Sequence, residues 1–216
     1  MSLWSKNKKF NFQYQEPIKK KDENHVVDYA RTLIKSDINK GEMDSDYNEI
    51  LKGSCVYLKN FFCNIDDVTL FNKLKSELDI ENNVVEWSKH EKCENPQKSE
   101  TFNMIIKLLS EHFKVNILET RLNYYKNGLS MKPFHQDKNA FGNQLENYTM
   151  GASFGASRVL DFKHIKTNNK FSFPQNNGDV FAFTQEINKK FMHAIPKSNK
   201  KCGDRISIIA WGIRSD

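Results

Sequence analysis

His135 and Asp137 stand two residues apart in the run Phe134-His135-Gln136-Asp137, a spacing that in an extended chain sends both side chains to one face. His193 follows in a later run of strand character, so a sheet folded back on itself would bring all three together. Two histidines and one carboxylate on one side of a metal leave three coordination positions open, the set that suits non-haem Fe(II). The open positions accept a bidentate 2-oxoacid and O2.

An isolated His-x-Asp pair arises often by chance, so its company matters. Arg205 falls twelve residues after His193 and opens Arg205-Ile206-Ser207 on the next expected strand. A fixed guanidinium can grip the distal carboxylate of 2-oxoglutarate bidentately, with the Ser207 hydroxyl as a further donor. His25, His90, His112 and His164 lack a partner pattern and are expected as surface or packing histidines; Arg158 and Arg214 are expected as solvated strand-edge charges.

The elements that must position these residues are short. After position 115 the chain becomes a succession of β-type runs at 117–125, 148–154, 158–165, 171–173, 180–183, 191–195 and 206–213. Turn residues such as Asn127-Gly128, Asn176-Asn177-Gly178 and Cys202-Gly203-Asp204 separate them, the spacing of a jelly roll or barrel. Ahead of them, 54–58 reads as a strand, and Asn64 or Asp66 is expected to cap a helix whose buried stripe is Val68, Phe71, Leu74 and Leu78. A second helix at about 101–113 carries Phe102, Ile105, Ile106, Leu109 and Phe113 at helical spacing. Between the helices, 81–99 is polar and irregular, a surface loop or lid holding Trp87. Another short amphipathic helix is expected at 25–38, ended by Gly41, and positions 1–23, with Lys19-Lys20-Lys21, form a flexible basic arm.

The fold expected is therefore α+β: a double-stranded β-helix core of the jelly-roll, cupin-like type, flanked by N-terminal helices. One domain fills 24–216, with its catalytic core at about 115–214. The 216 residues can bury a core without staples, and Cys55, Cys63, Cys93 and Cys202 lack the spacing of a zinc cluster or disulfide framework. No apolar run is long enough to span a membrane and the start has no apolar signal core, so a soluble cytoplasmic or nuclear protein is expected. A net charge of +6 favours polyanionic partners such as nucleic acid, with a solvated surface as the other reading. The oligomeric state is left open.

Five pieces in order carry a resemblance: Asn123-Tyr124-Tyr125-Lys126-Asn127-Gly128, His135-Gln136-Asp137, Ala152-Ser153-Phe154-Gly155, Gly178-Asp179-Val180-Phe181-Ala182-Phe183 and His193-Ala194-Ile195-Pro196. Over about 54–214 the chain resembles the 2-oxoglutarate/Fe(II) oxygenase superfamily, and within it the AlkB-like branch. The resemblance implies Fe(II) held by His135, Asp137 and His193, with 2-oxoglutarate and O2 as co-substrates. Asn123 and Tyr125 would then hydrogen-bond 2-oxoglutarate, and Arg205 would pair with its far carboxylate. It also implies oxidative demethylation of N-methylated bases.

Two departures bear on that reading. Trp211 stands where the branch usually has a second arginine, so the Arg-x-Ser manner, with Ser207 assisting, is the expectation for the co-substrate. Asn139 stands where its nucleic-acid demethylases tend to have an acidic base-reading residue, and an amide still hydrogen-bonds a base edge. Trp87 lies in the stretch resembling the substrate lid, where it would stack on an extruded base or else close the core. Hydroxylation of protein or peptide side chains is the alternative enzymatic reading, and a non-catalytic cupin-like binding module the third.

Overall fold

The computed structural model describes residues 55–142, 144–168, 170–198 and 201–215. The expected basic arm and the helix at 25–38 lie outside them.

Among the described residues, eleven strands form two antiparallel sheets. The large sheet contains β1 (Cys55–Leu58), β2 (Val84–Trp87), β3 (His90–Cys93), β4 (Val115–Tyr125), β6 (Tyr148–Gly155), β9 (Val180–Thr184) and β11 (Arg205–Arg214), in the order β1-β9-β6-β11-β4-β3-β2. The small sheet is β5 (Lys132–His135), β10 (Phe191–Ile195), β7 (Arg158–His164) and β8 (Lys170–Gln175), in the order β5-β10-β7-β8. The chain passes repeatedly between the sheets, as expected of a double-stranded β-helix.

Alternation along β11 shows how the layers form. Ile206, Ile208 and Ala210 point one way, into a core shared with helices α1 (Thr69–Leu78) and α2 (Glu100–Phe113). Arg205, Ser207, Ile209 and Trp211 point the other way, toward the small sheet. There Tyr57, Phe162, Phe173, Phe183 and Phe191 build a second core, in which each buried aromatic contributes about 1.5–3 kcal/mol by leaving water. The two cores put the helices behind the large sheet and leave the space between the sheets for the site.

Both helices bury most of the expected stripes: Phe71, Leu74 and Leu78 in α1, and Phe102, Ile105, Leu109 and Phe113 in α2, whereas Val68 precedes α1 and is exposed and Ile106 is half-buried. Their starts are more particular. Neither Asn64 nor Asp66 caps α1: it begins later, where the Asp67 carboxylate accepts the Thr69 N–H at 3.0 Å. Ser99 caps α2, accepting the Phe102 N–H at 2.9 Å, while Glu77 takes hydrogen bonds from Ser99 and Thr101.

Three elements differ from expectation. The polar 81–99 stretch contains a hairpin, β2 and β3, which extends the large sheet through pairing of β3 with β4. Lys132–His135 is an edge strand of the small sheet, and a short helix α3 (Gln185–Lys190) is inserted between β9 and β10. Among the described residues no helix is long and apolar enough to cross a membrane, and all four described cysteines are free.

Candidate active site

Pairing of β5 with β10 sets His135 directly opposite His193, with ring centroids 4.2 Å apart. Asp137 follows just beyond the end of β5. Its Oδ1 lies 3.6 Å from His135 Nε2 and 3.5 Å from His193 Nε2, and one ligand atom from each residue falls within 4.8 Å of the others. Donors about 2.1 Å from one cation lie roughly 3–4 Å from each other, so the set fits a single small metal ion.

The surroundings prepare each donor. His135 Nδ1 donates to the Pro133 carbonyl at 2.9 Å, which leaves Nε2 with its lone pair toward Asp137. Burial, and then the neighbouring His193, push the His135 pKa down to about 3, so it is the neutral ligand form at pH 7. Burial alone would raise the Asp137 carboxyl, but His193, Trp211 and His135 outweigh it and hold the group well below the usual carboxylate range. Asp137 Oδ2 accepts from Trp211 Nε1 at 2.9 Å and from Thr149 Oγ1 at 3.2 Å, leaving Oδ1 to face the histidines.

The backbone of Asp137 is clamped as well. Asn188, fully buried on α3, accepts the Asp137 N–H and donates to the Asp137 carbonyl, each at 3.0 Å. Gln136 donates to the Asn188 carbonyl at 2.7 Å. Thr149, Asn188 and the hydrogen bond from Trp211 are contributions that sequence reasoning missed. Nothing in the sequence around Asn188 marks it.

Beside the triad lies a cavity that opens to solvent, with Asn123, Tyr125 and Ser207 on the large-sheet wall and His135, Asp137 and His193 on the other side. Ser207 pairs with Asn123 and Arg205 with Tyr125, so the expected co-substrate residues do come together. Arg205, however, lies outside the set of residues that line the cavity. It is fully buried, with its guanidinium 5.1 Å from the Tyr125 ring centroid, and donates to Ser153 Oγ at 2.9 Å and to Gln175 Oε1 at 3.5 Å. Among the described residues its buried Nη1 has no hydrogen-bond partner, which leaves that nitrogen able to donate to an anion. Burial lowers its pKa to about 10, which still leaves it a cation at pH 7.

Two residues set aside on sequence support this wall. His90 is buried on β3, stacks on Tyr125 with centroids 5.0 Å apart, and lies 3.2 Å from both the Asn123 Oδ1 and the Met131 carbonyl. Arg158, expected in solvent, is buried and ties the carbonyls of Asn127, Ser130 and Pro196 together. The hairpin and the turn after β4 are thus fixed against the co-substrate wall.

At the rim, Trp87 is 39% exposed rather than closing the core. Lys92 Nζ lies 4.6 Å from its ring centroid, and the Arg121 guanidinium sits between two indoles, 5.5 Å from Trp87 and 5.1 Å from Trp211. Asn139 does not present its amide as an open base-reader. It borders an outer hollow beside the triad, but it is buried, and its side-chain oxygen accepts from Asn188.

A His-Asp-His cluster between the sheets of a jelly roll, beside a cavity with polar and cationic walls, has the form of a candidate metal centre with open coordination positions. The sequence of the 2OG-Fe(II) oxygenase superfamily matches residues 63–209, and the chain belongs to that superfamily. Members of that superfamily use Fe(II), 2-oxoglutarate and O2, and the His135, Asp137 and His193 cluster is the candidate iron site in this chain. An uncharacterised protein of Acanthamoeba polyphaga mimivirus is 32% identical over 109 residues, which are 50% of this chain and 56% of that protein, so the match spans about half the length of the relative. A Pseudomonas putida prolyl-4-hydroxylase shares the fold, with a TM-score of 0.54 at 11% identity over 78% of this chain and 97% of that one.

Proposed function

We propose that this dioxygenase belongs to the AlkB-like branch and removes N-methyl groups from bases of RNA or single-stranded DNA. The observation that carries the reading is the rim: an exposed indole, Trp87, flanked by the cations Lys92 and Arg121 at the entrance to the metal site. An aromatic face among positive charges is the chemistry that stacks a base while neutralising its phosphates. The ordered motifs from Asn123 to Pro196 support the same branch.

In this reading His135, Asp137 and His193 hold Fe(II), and Asn123, Tyr125, Ser207 and the donor left on Arg205 orient 2-oxoglutarate. Bound together with O2, these groups supply the oxidant that inserts one oxygen atom into a substrate C–H bond, the other leaving in succinate as CO2 is released. Trp87 stacks on the base and Lys92 faces its phosphate. On an N-methyl carbon the product is an N-hydroxymethyl group, which loses formaldehyde and returns the proton to the base nitrogen.

The test is a panel of methylated oligonucleotides, with formaldehyde and succinate measured together. Trp87→Ala should weaken oligonucleotide binding by about 1–3 kcal/mol while leaving consumption of 2-oxoglutarate without substrate nearly intact. Absence of binding to any oligonucleotide at low salt would remove the demethylase reading. Hydroxylation of protein side chains would then take its place, a reading favoured by the closed position of Asn139 and by the shared fold of the prolyl-4-hydroxylase. Succinate release with a hydroxylated peptide, and no formaldehyde, is its signature.

A further inference from the structure

One charge on the cavity wall has no role in the scheme above. Lys132 opens β5 and pairs with Ile195, two residues beyond His193 on β10. It borders both the co-substrate cavity and the outer hollow, and so does Arg121 from the opposite sheet. Arg121 has an ion-pair partner in Glu119 at 3.2 Å, and Glu119 also lies 3.5 Å from Lys138. The half-buried Lys132 side chain has neither a hydrogen bond nor an ion pair with the described residues. Burial and the nearby Arg121 both press its pKa downward, with Asp137 opposing them. Two like charges brought to one partly desolvated wall are unfavourable until an anion comes between them.

Depth along the sheet says which anion. From the iron end inward, β11 presents Trp211, Ile209, Ser207 and Arg205, paired with Glu119, Arg121, Asn123 and Tyr125 on β4. Trp211 touches Asp137, so the Trp211 row is the iron end and the Arg205–Tyr125 row the far end. Same-face positions on a strand are about 6.8 Å apart, which puts Arg121 near the metal and Tyr125 roughly 13 Å along the strand from it. Lys132 lies one such step from the histidine pair on the small sheet. A 2-oxo diacid extended between these rows meets Lys132 and Arg121 with its oxoacid end and the Tyr125–Arg205 layer with its other carboxylate.

We propose that Lys132, with Arg121 beside it, is a co-substrate-binding residue that receives the carboxylate adjoining the ketone of 2-oxoglutarate. The cation that the AlkB-like pattern would place at Trp211 is then supplied by β5 and β4, while Trp211 is turned to hold Asp137. The proposal rests on membership of the oxygenase superfamily and not on the demethylase reading.

The experiment is a binding titration of the full chain loaded with Mn(II), using 2-oxoglutarate and the monoacid 2-oxobutyrate as probes. Lys132→Ala should weaken both acids about tenfold, the loss of one charge-assisted contact, and Lys132→Arg should recover much of that loss. Arg205→Lys should weaken 2-oxoglutarate and leave 2-oxobutyrate unchanged, because only the diacid reaches the far row. Unchanged affinity of Lys132→Ala for both acids would overturn the proposal. So would weakening confined to 2-oxoglutarate, which would move Lys132 to the distal carboxylate, or a fall in Mn(II) affinity measured without any oxoacid. Unchanged oxoacid binding with weakened oligonucleotide binding would assign the charge to substrate instead.

Discussion

Replacing Trp211 by Phe removes one N–H donor from the candidate metal site, together with one of the two indole rings beside Arg121. The ring face that carries Arg121 at 5.1 Å is retained, and Thr149 still donates to the same carboxylate oxygen at 3.2 Å. What is lost is the 2.9 Å hydrogen bond to Asp137 Oδ2, on a carboxylate whose side chain is only 9% exposed. A hydrogen bond to a charged group contributes about 1.5–3 kcal/mol, and the loss of an outer partner of a metal ligand commonly costs about 10–100-fold in metal affinity. Trp211→Phe should therefore bind Mn(II) about 10–100-fold more weakly, measured by titration with the free ion followed by electron paramagnetic resonance. Its midpoint in urea without metal should move much less, because removing a donor from an ionised, still hydrogen-bonded carboxylate leaves the cores untouched. Wild-type Mn(II) affinity in a folded Trp211→Phe protein would refute the argument that this indole sets the orientation of Asp137.

Three further outcomes are expected. His135→Ala, Asp137→Ala and His193→Ala should each abolish Fe(II)-dependent succinate release, and undiminished turnover in any one would remove that residue from the metal set. His90 has its pKa lowered by burial to about 4, so the unfolded chain takes up its proton first. Its contribution to metal-free stability is present above pH 6.5 and is lost as pH falls toward 4, by about 3 kcal/mol in all, so His90→Gln should show a shallower decline in urea titrations across that range. Gly178 has φ +85°, and a Cβ there would lie 2.2 Å from the Cys63 carbonyl oxygen, so Gly178→Ala should lower stability by about 2–4 kcal/mol in the same assay.

The parts of this architecture that were legible in sequence are those where chemistry or periodicity restricts residue type. Metal ligation admits few side chains, so the clustering of His135, Asp137 and His193 was visible from type and spacing, and most of the stripes of α1 and α2 from burial on one face. The hairpin was not visible because His90-Glu91-Lys92-Cys93 lacks the alternation of a half-buried strand; its order comes from the open edge of β4. The strand at 132–135 contains Pro133, but among the described residues β5 pairs only with β10, and an edge strand tolerates the missing donor. Asn188 and Arg205 mark a different limit. Sequence order placed Arg205 on the right strand, but its depth behind the wall depends on Tyr125, Ser153 and Gln175, which come from three other strands.

The hairpin that escaped detection joins two tasks. From its β3 strand His90 reaches behind the wall to Asn123 and Tyr125, while Trp87 on β2 reaches the rim and meets Arg121. The contacts then continue from Arg121 to Trp211 and from Trp211 to Asp137, so the rim and the metal ligand are linked by a single file of side chains. Arg121 is also anchored to Glu119 at 3.2 Å, and Asp137 is clamped by Thr149 and Asn188 independently of that file. Removing the Trp87 indole consequently takes away one face of the Arg121 stack without releasing the guanidinium or the carboxylate. Loss of oligonucleotide affinity in Trp87→Ala can therefore be assigned to the rim provided Mn(II) affinity holds, whereas a joint loss would mean that the file transmits the change to Asp137.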